Sequence, residues 1–113
     1  MLSALGDQQL DRYRASAAAH RLTPRTLTDP ELLRHSLQQA RRLRLAYDDG
    51  EFDPEICCVA AVVRDFSGGA IGAIGTSGPV WPLSLQALHA AARQISRAAA
   101  ELSLELGYQK AAA

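Results

Sequence analysis

The sequence has 113 residues, enough for one domain with a modest core and not for two. It is 48% hydrophobic and 21% charged, a globular composition, and twelve Lys/Arg balance twelve Asp/Glu. With no basic excess to neutralise phosphates, direct nucleic-acid binding by this chain is not expected.

A helix is predicted over about residues 7–19, with Asp7 as its cap and Leu10, Tyr13 and Ala17 on one face. Residues 22–27 read as a short extended piece, because Pro24 biases Thr23 away from helix. Thr28-Asp29-Pro30-Glu31 is a strong helix start: a capping carboxylate, a proline at the first helical position and an acid at the positive end of the dipole. That helix should end near Leu43, with Arg41-Arg42-Leu43-Arg44 as its solvated, cationic end. Asp48-Asp49-Gly50-Glu51 reads as a polar turn. A strand is predicted over residues 55–65, and since both of its alternating sets are apolar, both faces should be covered. Phe66-Ser67-Gly68-Gly69 is a hairpin turn, and the return strand runs over residues 70–77. Gly72 and Gly75 imply a close approach to its backbone, and Gly78-Pro79 should break it. A long helix follows, with Ser84 as cap, Gly107 as stop, and a stripe of Leu85, Leu88, Ala92, Ile95, Ala99, Leu102 and Leu106 lying on the hairpin. Ala111-Ala112-Ala113 reads as a frayed end. The predicted order is helix, short strand, helix, two strands, helix: an α+β fold with helices packed on an antiparallel sheet.

Few residues suggest chemistry. Cys57 and Cys58 are adjacent, so in a strand they face opposite ways and do not bridge; unpaired thiols fit a reducing cytoplasm. No Cys/His spacing suits a metal, no cofactor motif stands out, and no apolar run is long enough for a signal peptide or a membrane span. Ser67-Gly68-Gly69-Ala70-Ile71-Gly72 lies between strands rather than before a helix, which is the wrong context for cradling phosphate. His20, His35 and His89 fall in separate predicted helices among polar neighbours, as surface histidines do. Cys58 as a nucleophile would need a base and an electropositive setting, and the sequence names neither; a buried, apolar-like cysteine is the expectation. Asp48, Asp49 and Glu51 form the densest acidic cluster, which suits acid–base work or, more commonly, a solvated turn.

Read as a string, the chain resembles the C-terminal region of IclR-family transcriptional regulators from Met1 to about Tyr108. The matching pieces stand in order: Thr23-Pro24-Arg25-Thr26-Leu27-Thr28-Asp29-Pro30, Tyr47-Asp48-Asp49-Gly50-Glu51-Phe52, Cys58-Val59-Ala60-Ala61 with Val63-Arg64-Asp65, Ile74-Gly75-Thr76-Ser77-Gly78-Pro79, and Leu106-Gly107-Tyr108. Ala46, Glu55, Val62 and Gly75 stand where the family usually has Gly, Gly, Pro and a small hydroxyl residue. The resemblance implies that residues 1–113 are the C-terminal portion of a GAF-like effector-binding domain, not an enzyme. It implies a small organic acid or aromatic effector held by Asp48, Ile56, Cys58, Gly75 and Ser77. Ile56 and Cys58 share one strand face, and so do Gly75 and Ser77, so a paired hairpin would turn all four to one concavity. It also implies a cytoplasmic homodimer or tetramer, with DNA contacted only through an N-terminal winged helix-turn-helix that this chain lacks. Strands that precede this region in the family would be missing as well, leaving an exposed sheet edge and an expectation of self-association. Two other readings stand beside this one: a truncated assembly module that binds no ligand, and a small hydrolytic or redox enzyme using Cys58 and Asp48.

Overall fold

A computed structural model describes residues 1–16, 20–81 and 85–110. After a single 3-10 turn at Leu2–Ala4 come helices α1 (Asp7–Ser16) and α2 (Pro30–Leu43), strands β1 (Ala46–Asp49), β2 (Ile56–Arg64) and β3 (Ala70–Pro79), and helix α3 (Leu85–Glu105). The strands form one antiparallel sheet in the order β1-β2-β3. The α+β architecture expected from the sequence is therefore present. The readings of Ala17, Ser84 and residues 111–113 lie outside the described residues.

Both N-terminal helices begin for local reasons. Gly6, not Asp7, precedes the first turn of α1: its carbonyl accepts from the Leu10 N–H at 2.9 Å, and its own N–H donates to the Gln9 side chain at 3.4 Å. The first is the opening bond of the helix, and the second is half of a capping box. Asp29 caps α2 as expected, its carboxylate accepting from the Glu31 N–H at 2.8 Å. The basic end of α2 is more than a solvated face. The Arg41 guanidinium donates to the carbonyls of Ser3 and Leu5 at 2.7 and 2.6 Å and pairs with Asp7 at 3.1 Å, so it ties the N-terminal turn to α2.

Two expectations change between α1 and β2. Residues 22–27 form a turn, not a strand. The Thr26 hydroxyl accepts from the N–H groups of Leu22 and Thr23, and the buried Thr23 hydroxyl donates to the Gly50 carbonyl at 2.6 Å. Asp48 and Asp49, read as a turn, belong to β1. Aspartate is a poor strand former, but pairing with β2 offers the backbone a complete ladder, and that tertiary gain outweighs propensity. The chain reversal falls later, at Gly50, whose φ of 71° suits glycine.

Among the described residues, β2 is covered on one face, not two. Cys57, Val59, Ala61 and Val63 are buried beneath α3, while Cys58, Ala60, Val62 and Arg64 are only half-buried. Leu88 and Ala92 pack on Cys57 and Val59, Ala99 packs on Ala61 and Val63, and Ile95 joins the two groups. Farther along α3 the seam moves: Leu102 is exposed and Ser103 is buried in its place. The Ser103 hydroxyl accepts from the Arg64 N–H at 3.0 Å and donates to the Ala99 carbonyl at 2.7 Å. Gly107, at φ 88°, ends α3 with a Schellman pair: Gly107 N–H to the Leu104 carbonyl and Tyr108 N–H to the Ser103 carbonyl. The hairpin turn is held by Asp65, whose carboxylate accepts from the Ser67 N–H at 2.9 Å and from its hydroxyl; these bonds hold Asp65 below the usual carboxylate range. Gly78-Pro79 does not break β3, which runs through Pro79.

Ser103→Ala strands the Arg64 N–H at the sheet edge. It is expected to lower unfolding free energy by about 1–3 kcal/mol in urea titrations, whereas Leu102→Ala should cost less.

Candidate ligand-binding site

The strand register assembles the site from three strands. Asp48 stands opposite Cys58, and Cys58 stands opposite Ser77, so the three form one row across the sheet. Directly opposed residues of an antiparallel pair point to the same face. Ile56, opposite Pro79, and Gly75, opposite Ala60, fall on that face too. It is the face away from α3. The five residues singled out in the sequence are thus brought to one side of the sheet.

The surroundings of each differ. Asp48 is half-buried, and its carboxylate accepts from the Glu51 N–H at 2.8 Å. Glu51 sits beside it with its carboxyl pushed up, first by burial and then by the charges of Asp48 and Asp49, against a lowering bond from the Asp49 N–H. The loop carrying Glu51 is fixed from outside by the Thr23 and Thr26 hydroxyls, which donate to the Gly50 and Glu51 carbonyls. An exposed ion pair of 2.6 Å joins Arg25 to Asp49. Cys58 is half-buried, with its thiol pushed up by burial and then by the Asp48 carboxylate against which it lies. Ile56 is 38% exposed, and Gly75 and Ser77 are exposed.

This row can hold a ligand more readily than it can transform one. A thiol held protonated beside a carboxylate is a poor nucleophile. His89, an exposed residue of α3, is on the far side of the sheet, its ring edge-on to Tyr47 at 5.3 Å. The core cysteine is Cys57, not Cys58. Ser77 offers a hydroxyl donor and Asp48 an acceptor, over a floor of Ile56 and Ala60. Among the described residues, no group of three or more His, Cys, Asp or Glu is placed to hold a metal, and no helix is long and apolar enough to cross a membrane.

A cavity of about 610 Å³ lies beside the row and includes none of its five residues. It borders Ala60, Val62 and Ala73 and carries Arg44, Arg64 and Lys110 among its lining residues. Sequence reading missed these cations because they are far apart in the chain and each looks like an ordinary surface residue. Gly75 is required where it stands: a Cβ there would come within 2.9 Å of the Val59 carbonyl and 3.0 Å of the Ala60 methyl. The close approach read from the glycines is real at Gly75, whereas a Cβ at Gly72 would meet nothing within 4 Å.

Gly75→Ala is accordingly expected to cost about 1–3 kcal/mol, and Gly72→Ala less, in parallel denaturation curves. Alkylation of Cys58, located by tandem mass spectrometry, should be slow at pH 8. Asp48→Asn removes a charge that raises the thiol pKa, so it should increase the thiolate fraction and speed labelling several-fold.

Comparison with known proteins places the fold. Residues 1–104 match a family model described as the bacterial transcriptional regulator IclR C-terminal region. The HTH-type transcriptional regulator BhcR of Paracoccus denitrificans is 36% identical over 101 residues, which are 89% of this chain and 36% of that protein. The crystal structure of Thermotoga maritima IclR superposes with a TM-score of 0.89 at 25% identity, covering 95% of this chain and 43% of the other. The inducer binding domain of PobR from Acinetobacter, solved as a double mutant with 3-hydroxybenzoic acid, shares the fold: TM-score 0.85, 22% identity, 90% of this chain and 61% of that one. The chain spans 36–39% of the length of the first curated relatives it matches, and those are named as transcriptional regulators and repressors, not enzymes. The family match covers nearly all of the sequence and the fold agrees with it, so the chain belongs to the IclR C-terminal family of bacterial transcriptional regulators.

Proposed function

We propose that residues 1–113 form the ligand-sensing and oligomerising portion of an IclR-type effector domain, acting in the cytoplasm. The effector is a small organic acid or aromatic acid bound on the open sheet face at Asp48, Ile56, Cys58, Gly75 and Ser77. DNA is contacted through a winged helix-turn-helix elsewhere in the regulator, and the effector acts by binding one arrangement of the oligomer more tightly than another. The observation that carries this reading is the row Asp48–Cys58–Ser77 across three strands, with Ile56 and Gly75 on the same face. A few polar groups among apolar neighbours are the usual make-up of a small-ligand site. In PobR, a domain of the same fold was solved with 3-hydroxybenzoic acid. Asp48 accepts from a ligand hydroxyl in this reading, and Ser77 donates to its carboxylate.

A second reading, an assembly module without a ligand, is favoured by the openness of this face: Gly75 and Ser77 are exposed and the cavity lies to one side. Calorimetry with a panel of short aliphatic acids and hydroxybenzoates separates the two. Binding by one member, weakened about tenfold by Ser77→Ala, is expected, since one hydrogen bond to a charged group contributes about 1.5–3 kcal/mol. Heats indistinguishable from dilution across the panel would leave the assembly reading in place.

A further inference from the structure

We propose that Thr23 is a positioning residue of the ligand row, setting the Asp48 carboxylate through the single peptide group that joins Gly50 to Glu51. That Asp48 meets a ligand rests on the function proposed above; the coupling of Thr23 to Asp48 does not.

The two side chains stand at opposite ends of one peptide. A trans peptide points its C=O and its N–H in opposite directions. The Thr23 hydroxyl donates to the Gly50 carbonyl at 2.6 Å, and the Glu51 N–H of the same peptide donates to Asp48 Oδ1 at 2.8 Å. The hydroxyl also accepts from the Arg25 N–H at 3.0 Å, so its one proton is committed to the loop. Hydrogen bonds in series polarise one another, so the bond at the carbonyl strengthens the bond at the N–H. Glycine at 50, with φ 71°, offers little resistance to turning this peptide over, so its orientation is set by what it bonds to. Turned over, it would set the Gly50 carbonyl against the Asp48 carboxylate.

Asp48 needs such an anchor. Like charges flank it: Asp49, and Glu51, whose Oε2 accepts from the Asp49 N–H at 3.3 Å. The Arg25 guanidinium pairs with Asp49. Among the contacts on this loop, Thr23 is the one placed to act on Asp48. Thr23 is 4% exposed and Gly50 is buried, so removing the hydroxyl strands a carbonyl that is screened from solvent. The Arg25–Asp49 pair is 65% and 62% exposed, and a surface pair contributes little. Thr26 donates to the Glu51 carbonyl, which belongs to the next peptide along. The Cys58 thiol lies against the Asp48 carboxylate and is pushed up by burial and then by that charge. Its reactivity therefore reports where the carboxylate is held.

The pH profile of Cys58 alkylation in the 113-residue chain, with the labelled cysteine located by tandem mass spectrometry, tests the coupling. Thr23→Val is expected to release the carboxylate, shift the profile to lower pH and speed labelling several-fold at pH 8, as Asp48→Asn does. Thr23→Ser keeps the hydroxyl and should keep the slow profile. Thr26→Val should move it less, and Thr23→Val should add nothing in the Asp48→Asn background. Cys57, buried beneath α3, reports opening of the whole fold. An unmoved profile in Thr23→Val, an equal shift in Thr26→Val, no rescue by Thr23→Ser, or labelling that rises equally at Cys57 overturns the coupling. Calorimetry with 3-hydroxybenzoate and benzoate addresses the ligand. Thr23→Val should weaken hydroxybenzoate binding about tenfold and benzoate binding less. Equal weakening of the two overturns an action through Asp48. Binding of neither overturns the ligand role of Asp48, and the labelling profile then decides the coupling by itself.

Discussion

Val59 has no exposed surface, and Leu88, 2% exposed, is the helix residue that covers it. The packing of α3 on one face of β2 is the constraint on which the rest depends. Side chains of a strand alternate, so committing Cys57, Val59, Ala61 and Val63 to the helix turns Cys58, Ala60 and Val62 the other way. A one-residue slip would exchange the two sets and put Cys58 in the core. The core and the candidate site are thus one decision, made by β2. Small alanines at 92 and 99 face the sheet, and Ser103 continues the contact through its hydrogen bond from the Arg64 N–H.

The second determinant is the loop before β2. Thr23 and Thr26 donate to the Gly50 and Glu51 carbonyls, and Asp48 accepts from the Glu51 N–H. These bonds fix the end of β1 and hold the Asp48 carboxylate beside Cys58. Each member of the acidic cluster has a structural part. Asp48 caps the loop, Asp49 pairs with Arg25, and Glu51 is destabilised as an anion by burial and its neighbours. A thiol raised by the same Asp48 charge stays protonated. The electrostatics of this face disfavour covalent chemistry at Cys58, in keeping with relatives that are named as regulators.

Much was legible in the residues. The Asp29-Pro30 helix start, the hairpin at Ser67-Gly68, the stop at Gly107 and the close approach at Gly75 were each visible, because each is a local steric or hydrogen-bonding requirement. The family was visible from five short pieces in order. Asp48-Asp49, read as a turn, is strand, and residues 22–27, read as extended, are a turn, since aspartate in a strand and threonine in a turn are settled by partners distant in sequence. The half-open β2 escaped notice because apolar residues on both alternating sets state that a face can be covered, not that it is.

By itself the sequence determined the kinds and limits of most elements and the family, all of which follow from neighbours within a few positions or from ordered motifs. Only the tertiary structure decided that Asp48, Cys58 and Ser77 share a row, that Cys57 rather than Cys58 is the core thiol, and that Ser103 replaces Leu102 in the seam. Each of these depends on strand register or on the phase of a helix over a sheet, quantities fixed by contacts between segments rather than within them.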